Sequence, residues 1–141
     1  MPSWNPKRLR ALSTPAGGLL IALFFAATTF ACGHPVKRKL EGRWLGEGVE
    51  NFDDDKVAAA TGWAKGTSME FSGGTLTVSI PAEEPRSGVY EIVKVHQNDV
   101  EISIVRPDGS RDRTRFRLDD EHSMRWMLDE GRAIVLRREG T

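Results

Sequence analysis

The chain has 141 residues, and its 20 lysine and arginine residues balance its 20 aspartate and glutamate residues, so the formal net charge is zero. This balance argues against nucleic acid as a partner, because nucleic-acid-binding domains present a strongly basic face. The single cysteine excludes an intramolecular disulfide and any zinc site built on several cysteines.

The N-terminal segment has the composition of an export signal. Lys7, Arg8 and Arg10 precede an uninterrupted apolar run over residues 19–27. A positive start, a short apolar core and a cleavage site with small residues are typical of a secretory signal peptide. The apolar run is shorter than the roughly 20 residues that a transmembrane helix needs. We therefore predict that residues 1–31 are a signal peptide.

The end of that segment resembles the lipobox of bacterial lipoproteins, where the chain is cleaved and the cysteine is acylated. Ala31 and Cys32 match the pattern, whereas Thr29 stands where leucine is usual and Phe30 stands where a smaller residue is usual. The resemblance implies that Cys32 carries a lipid, which anchors the protein to a membrane of the bacterial cell envelope, facing the periplasm or the outside. The alternative is a soluble secreted protein that is cut at the same bond and keeps Cys32 free.

The next residues, 32–39, are polar and contain one proline, and we predict that they form a tether between the anchor and the folded domain. Lys37, Arg38 and Lys39 lie in this segment. They either lean on anionic lipid head groups or are simply solvated, and the second interpretation is preferred. Without residues 1–31, the chain carries 17 basic and 20 acidic residues.

From residue 40 onward the pattern is typical of β-strands separated by short turns. Leu76, Val78 and Ile80 alternate with polar residues, and this period of two predicts one buried and one solvated face of an antiparallel sheet. Turn residues such as Gly73-Gly74 separate the segments. The predicted strands cover residues 40–49, 67–72, 75–80, 88–96, 100–106, 113–118, 123–128 and 133–138.

Two stretches depart from the simple alternation. In residues 88–96, Tyr90 and Ile92 compete with the intervening valines for the inner face, and a β-bulge would reconcile them. Residues 50–66 are too long for a hairpin turn. We expect a short helix there, capped by Asp54 or Asp55 and ended by Gly62.

Eight consecutive antiparallel strands predict an all-β fold, namely an up-and-down barrel, with a β-sandwich as the alternative. Gly42-Arg43-Trp44 resembles the Gly-x-Trp motif of the lipocalins and related calycin barrels. The resemblance implies a barrel over residues 40–139, with an arginine of the last strand packed over Trp44 at the closed end. Arg138 is the best match for that arginine. The resemblance also implies that the long first loop partly covers the open end.

The sequence offers no arrangement of residues for catalysis, for a metal or for a cofactor. His34, His96 and His122 lie in the tether, at a strand end and in a turn, and no two have the spacing of metal ligands. The acidic run 53–55 lacks the alternating ligands of a calcium loop. We therefore predict a protein that is not an enzyme. Arg113, Arg115 and Arg117 form a basic stripe, which we expect to pair with acidic residues of neighbouring strands such as Glu101.

The predicted function is a non-catalytic binding module for a small apolar ligand, with Trp63, Tyr90, Phe116 and Trp126 as candidate ligand-binding residues. Trp63 either contacts ligand or fastens the first loop to the core. The alternative is a structural or protein-interaction lipoprotein of the envelope with a filled barrel. A narrow eight-stranded barrel favours that alternative, because several inward-facing side chains are bulky: Trp44, Met69, Phe71, Tyr90, Phe116, Met124 and Trp126.

Overall fold

The computed structural model describes residues 34–140. The predicted signal peptide, Cys32 and the first part of the predicted tether lie outside the described residues. Within residues 34–140, neither of the two α-helices is long and apolar enough to cross a membrane.

The described residues form eight antiparallel strands in a closed barrel, in which each strand pairs with the next and the last pairs with the first. This topology confirms the predicted up-and-down barrel and excludes the β-sandwich. Closure leaves every strand with a neighbour on both sides, which is how small all-β domains avoid exposed edges. The strands are β1 (Gly42–Glu50), β2 (Ser68–Ser72), β3 (Thr75–Ser79), β4 (Arg86–His96), β5 (Asp99–Val105), β6 (Arg111–Leu118), β7 (Ser123–Met127) and β8 (Ala133–Arg138).

The predicted bulge is present in β4. Ile92 pairs with Ile102 and Lys94 pairs with Glu101, so the ladder skips Val93. The inner face of β4 is therefore set by Tyr90 and Ile92, whereas Val93 is 44% exposed. The competing pattern in the sequence arises because a bulge shifts the alternation by one residue partway along the strand.

The chain enters the barrel through a short helix, α1 (Pro35–Leu40), and not through a tether. The prediction of a tether reaching Lys39 is wrong for this part, since Val36 and Leu40 are buried in the same core as the barrel strands. Pro35 at the first turn and the His34 ring, whose Nδ1 accepts a hydrogen bond from the Val36 amide at 3.2 Å, begin the helix.

A second helix, α2 (Val57–Lys65), lies in the first loop, as predicted. Its predicted caps are wrong. The helix begins after Lys56, because the Asp53 carbonyl accepts the first-turn bonds from the Lys56 and Val57 amides, and it ends at Gly66. A Cβ added to Gly46 of β1 would lie 1.7 Å from the Ala64 carbonyl oxygen, so the helix backbone packs directly on the strand at this glycine.

The closed end of the barrel is the end that holds α1. There the Arg138 guanidinium lies 4.2 Å from the ring centroid of Trp44 and donates hydrogen bonds to the carbonyls of Lys39, Glu41 and Glu121. The Trp44 indole N–H donates to the Leu40 carbonyl at 2.8 Å. These bonds tie the last strand, the first strand and α1 into one closed base.

Candidate functional site

The interior of the barrel differs between its two ends. In the core near the closed end, Phe71 makes edge-on contacts with Tyr90 at 5.2 Å and with Phe116 at 5.7 Å between ring centroids, and a hollow of about 640 Å³ lies beside α1. Toward the open end lies a cavity of about 750 Å³. Its floor is formed by Phe116, which is fully buried, and its rim by exposed residues of the loops, so the cavity opens to solvent.

The cavity wall is mainly aliphatic. Leu76 and Val78 of β3 lie on it with Ile80, which follows the strand, and Ile104 of β5 lies opposite. The alternation along residues 76–80 places these three side chains on one face, because successive residues of an extended chain point to opposite sides. An apolar wall with few polar groups is the usual lining of a pocket for a small apolar molecule.

A glycine shapes the wall on the β4 side. A Cβ at Gly88 would lie 2.5 Å from the Val105 carbonyl oxygen and 2.7 Å from Ile104 Cγ2. A side chain at this position would therefore collide with β5, and only glycine allows the Ile104 side chain to lie across the β4 backbone.

A pair of tryptophans covers one side of the cavity. Trp63 of α2 stacks on Trp126 of β7 with 6.5 Å between ring centroids and 28° between the ring planes. The Trp126 indole N–H donates to Thr114 Oγ1 at 2.7 Å, which fixes the orientation of that ring. Trp63 is 38% exposed. Its stack with Trp126 fastens α2 to the barrel, and its ring also lines the cavity.

Three of the four candidate ligand-binding residues converge on the cavity, namely Trp63, Phe116 and Trp126. Tyr90 does not line it. Its ring lies in the closed-end core, where it is 1% exposed and the Lys37 ammonium lies 5.2 Å from its ring centroid. The alternation of β4 correctly indicates that Tyr90 points inward, but it carries no information on height along the barrel axis.

The Tyr90 hydroxyl has no hydrogen-bond partner among the residues described. Burial raises the pKa of this hydroxyl, and the nearby Glu41 carboxylate raises it further. The group therefore stays protonated and neutral, in keeping with its place in an apolar core.

The rim of the cavity carries charges that neutralise one another. Arg106 Nε lies 2.5 Å from Asp112 Oδ2, and Arg113 Nη1 lies 3.3 Å from Glu101 Oε1. Hydrogen bonds from the Ser110 hydroxyl and amide hold the pKa of the Asp108 carboxyl below its usual range. The rim is thus polar but without a strong field of one sign.

Sequence reasoning missed the loop residues of the rim, including Pro85 and Pro107. Each lies outside the strands, where period-two alternation gives no orientation. The predicted strand order could have indicated them. In an up-and-down barrel both prolines fall in connections at the end where α2 lies, and these connections surround the same opening.

The basic stripe of β6 has the predicted pairing. Arg113 pairs with Glu101, and Arg117 Nε lies 2.7 Å from Asp99 Oδ1. The Arg117 hydrogen bond holds the pKa of the Asp99 carboxyl below its usual range. These pairs run across neighbouring strands and account for the stripe as part of the outer surface of the sheet.

Residues 34–140 hold no group of three or more histidine, cysteine, aspartate or glutamate side chains that is placed to bind a metal ion. Two acidic side chains near the closed end bind backbone amides or an arginine. Asp120 Oδ1 accepts from the His122 and Ser123 amides, and Asp119 pairs with Arg125.

The closed eight-stranded barrel, the long first loop at the open end and the arginine over Trp44 are the features that the resemblance to lipocalins implies. The architecture is lipocalin-like. No family model matches the sequence, and no curated protein matches it.

Two solved structures are similar to this chain. An uncharacterized protein from Bacteroides eggerthii is 16% identical, with 70% of this chain and 98% of that chain covered and a TM-score of 0.46. A lipocalin-like protein from Bacteroides uniformis is 15% identical, with 71% of this chain and 98% of that chain covered and a TM-score of 0.43.

Proposed function

We propose that this protein is a non-catalytic binding module that takes a small apolar ligand at the open end of its barrel. The observation that carries the proposal is the cavity of about 750 Å³ between the Trp63–Trp126 pair and the aliphatic wall. Its volume falls in the range of about 300–1,000 Å³ that is usual for small-molecule sites. Apolar contact with this wall would supply most of the binding free energy.

The charges at the rim favour a predominantly apolar ligand over an ion. Arg106 is paired with Asp112 and Arg86 with Glu83, so a charged ligand would have to compete with existing pairs. A ligand with an apolar body and one polar end would place that end among these rim groups and its body against Phe116.

The binding proposal is tested with an apolar fluorescent naphthylamine probe on the purified chain from residue 32 onward. Val78→Phe extends an aromatic ring from the aliphatic wall into the cavity and is expected to reduce probe affinity at least tenfold, since the ring would occupy the space in which the probe packs against that wall. Val89→Phe is the matched control, because Val89 is 56% exposed on the outer face. Equal loss of probe affinity in both variants would place the probe elsewhere on the surface.

Absence of probe binding to a folded wild-type barrel would count against the binding module. That outcome would favour the alternative, a structural or interaction protein of the envelope. Native mass spectrometry of the wild type and of Val78→Phe provides a second measurement. A ligand that co-purifies adds a fixed mass to the wild type, and this added mass should be absent from the variant.

We further propose that the protein is exported and anchored in the bacterial cell envelope by a lipid on Cys32. The apolar run before Cys32, the basic residues that precede it and the small Ala31 support this. Incorporation of labelled palmitate into the wild type and its loss in Cys32→Ala are the expected results. Release of an unlabelled wild-type protein into the soluble fraction would instead support a secreted, unanchored form.

A further inference from the structure

We propose that the barrel stands on the membrane by its closed end, with the basic side chains of α1 against anionic lipid head groups and the cavity facing away. This inference rests on the proposed lipid anchor at Cys32. Beyond the anchor itself, it specifies how the barrel is oriented and which surface touches the membrane.

The first support is the short reach between Cys32 and α1. Three peptide units separate Cys32 from Pro35 in the sequence, and even a fully extended chain of that length spans only about 11 Å. A lipid on Cys32 holds that residue at the level of the head groups. The start of α1 must then lie within about 11 Å of the membrane surface.

The second support is that α1 is fixed to the barrel base. Val36 and Leu40 are buried in the core, at 9% and 0% exposure. The Arg138 guanidinium donates to the carbonyls of Lys39 and Glu41 at the end of the helix. Because α1 is part of the base and not a flexible linker, its distance from the membrane sets the distance of the whole closed end.

The third support is charge. Arg38 and Lys39 are exposed in the last turn of α1. The ion pairs formed within residues 34–140 do not include either of them. A basic cluster next to a lipid anchor is a known second attachment to anionic membranes, because each cation is attracted by the negative surface potential.

The nearby acidic turn does not cancel this charge. Asp119 is paired with Arg125, and the Asp120 carboxylate is engaged by backbone amides. Glu41, which follows α1 and accepts a hydrogen bond from the Gly73 amide, and Glu121 are the exposed acidic neighbours of the helix at this end. The three basic residues of α1, Lys37, Arg38 and Lys39, outnumber these two carboxylates.

The orientation separates the cavity from the bilayer. β1 has nine residues, and at about 3.3 Å per residue and a tilt of roughly 40° the strand rises on the order of 20 Å from base to mouth. The mouth then opens to the aqueous phase, beyond the head groups. A ligand would enter from solution or from a soluble carrier and not by lateral diffusion out of the membrane.

The test uses the acylated protein, which begins at Cys32, in vesicles of phosphatidylcholine and phosphatidylglycerol that carry a nitroxide on the head group. A fluorophore is attached to one introduced thiol, at Glu121→Cys near the closed end or at Glu84→Cys in the loop at the mouth. Both positions are exposed, and both substitutions remove one negative charge. Quenching of the Glu121→Cys label and no quenching of the Glu84→Cys label are expected. Equal quenching of the two labels, or stronger quenching at the mouth, would overturn the orientation.

The contact of α1 with head groups is tested by charge reversal. Arg38→Glu combined with Lys39→Glu is expected to remove the additional quenching of the Glu121→Cys label that anionic vesicles give over neutral ones. Lys56→Glu combined with Arg86→Glu makes the same charge change at the open end of the barrel and should leave the quenching unchanged. If the α1 reversal also leaves it unchanged, the head-group contact is wrong.

The design separates failure of the inference from failure of the proposed anchor. An acylated Cys32 does not react with thiol reagents, so the acylated protein without an introduced cysteine takes up no fluorophore. Uptake by that protein would mean that the anchor is missing. The orientation result does not depend on whether the cavity binds ligand, because no ligand is used.

Discussion

At the scale of single residues, the Tyr90 hydroxyl is an exception in a well-packed core. It is buried, and it lacks a hydrogen-bond partner among the residues described. A buried hydroxyl that has lost its water partners destabilises the folded state unless another group replaces them. The Tyr90 ring, in contrast, makes favourable contacts, because it meets Phe71 edge-on and lies beneath the Lys37 ammonium.

Replacing Tyr90 by phenylalanine is therefore expected to stabilise the fold. The substitution removes the unpaired hydroxyl and keeps the ring contacts, and we expect the free energy of unfolding to rise by about 1 kcal/mol. That corresponds to an increase in Tm of about 4 °C for a domain of this size. Urea and thermal unfolding of both proteins measure the change. If Tyr90→Phe instead lowers the free energy of unfolding, the Tyr90 hydroxyl forms a hydrogen bond in the folded protein.

The candidate site could be predicted in part at this scale. The inward alternation of their strands indicates Phe116 and Trp126, the place of Trp63 in the first loop indicates that residue, and all three line the cavity. Tyr90 was assigned to the cavity wrongly, because strand alternation tells whether a side chain points inward but not how far along the barrel axis it lies. That height depends on the stagger of all strands in the closed barrel, and that stagger is a property of the pairing between distant segments.

At the scale of elements, the contact between α2 and β1 determines the cover of the cavity. Gly46 lets the backbone of α2 approach the strand, and Trp63 on the helix can then reach Trp126. Gly48, two residues further along the same strand, has open space around the position of a Cβ. The two glycines thus form a matched pair of sites for substitution.

Gly46→Ala is expected to push α2 away from β1, because its Cβ would collide with the Ala64 carbonyl oxygen. Overpacking of this kind costs about 2 kcal/mol of stability. It should also raise the quenching of tryptophan fluorescence by acrylamide, since the Trp63–Trp126 stack would loosen while Trp44 stays buried. Gly48→Ala should stay within about 1 kcal/mol of the wild type and leave the quenching unchanged. The same response in both variants would contradict a specific role for Gly46.

The sequence predicted the strands well and α1 poorly, and the reason is physical. Strand alternation is a local pattern, and the burial of one sheet face selects for it directly. α1 has two apolar residues and a run of cations, so its local pattern is that of a solvated segment. Its helix is stabilised by contacts with the barrel base and by Arg138, which lies far away in the sequence.

At the scale of the whole molecule, Arg138 joins the two ends of the domain. Its guanidinium reaches carbonyls of Lys39, Glu41 and Glu121 while covering the face of Trp44. A lysine has the charge but not the planar, forked set of donors, so it cannot make these bonds together.

Arg138→Lys is accordingly expected to lower the free energy of unfolding by about 2 kcal/mol, from lost charged hydrogen bonds and a weaker cation–π contact. Arg137→Lys is the control, because Arg137 points outward and pairs with Glu47 at the surface. That change should stay within about 0.5 kcal/mol. Hydrogen exchange adds a spatial readout, since the amides of α1 should lose protection only in the Arg138 variant. Loss of protection throughout the barrel in both variants would argue against a local role for the base.

The pairing of β1 with β8, which closes the barrel, affects how the chain folds. Lys39 and Arg138, which meet at the base, are 99 positions apart in sequence. Such a contact closes a long loop, and the entropic cost of closing that loop is met before the β1–β8 pairing stabilises the barrel. Until the last strand arrives, β1 and β7 are open edges that invite pairing with another chain. The chain is therefore expected to be most prone to aggregation before its C-terminal strand has paired with β1.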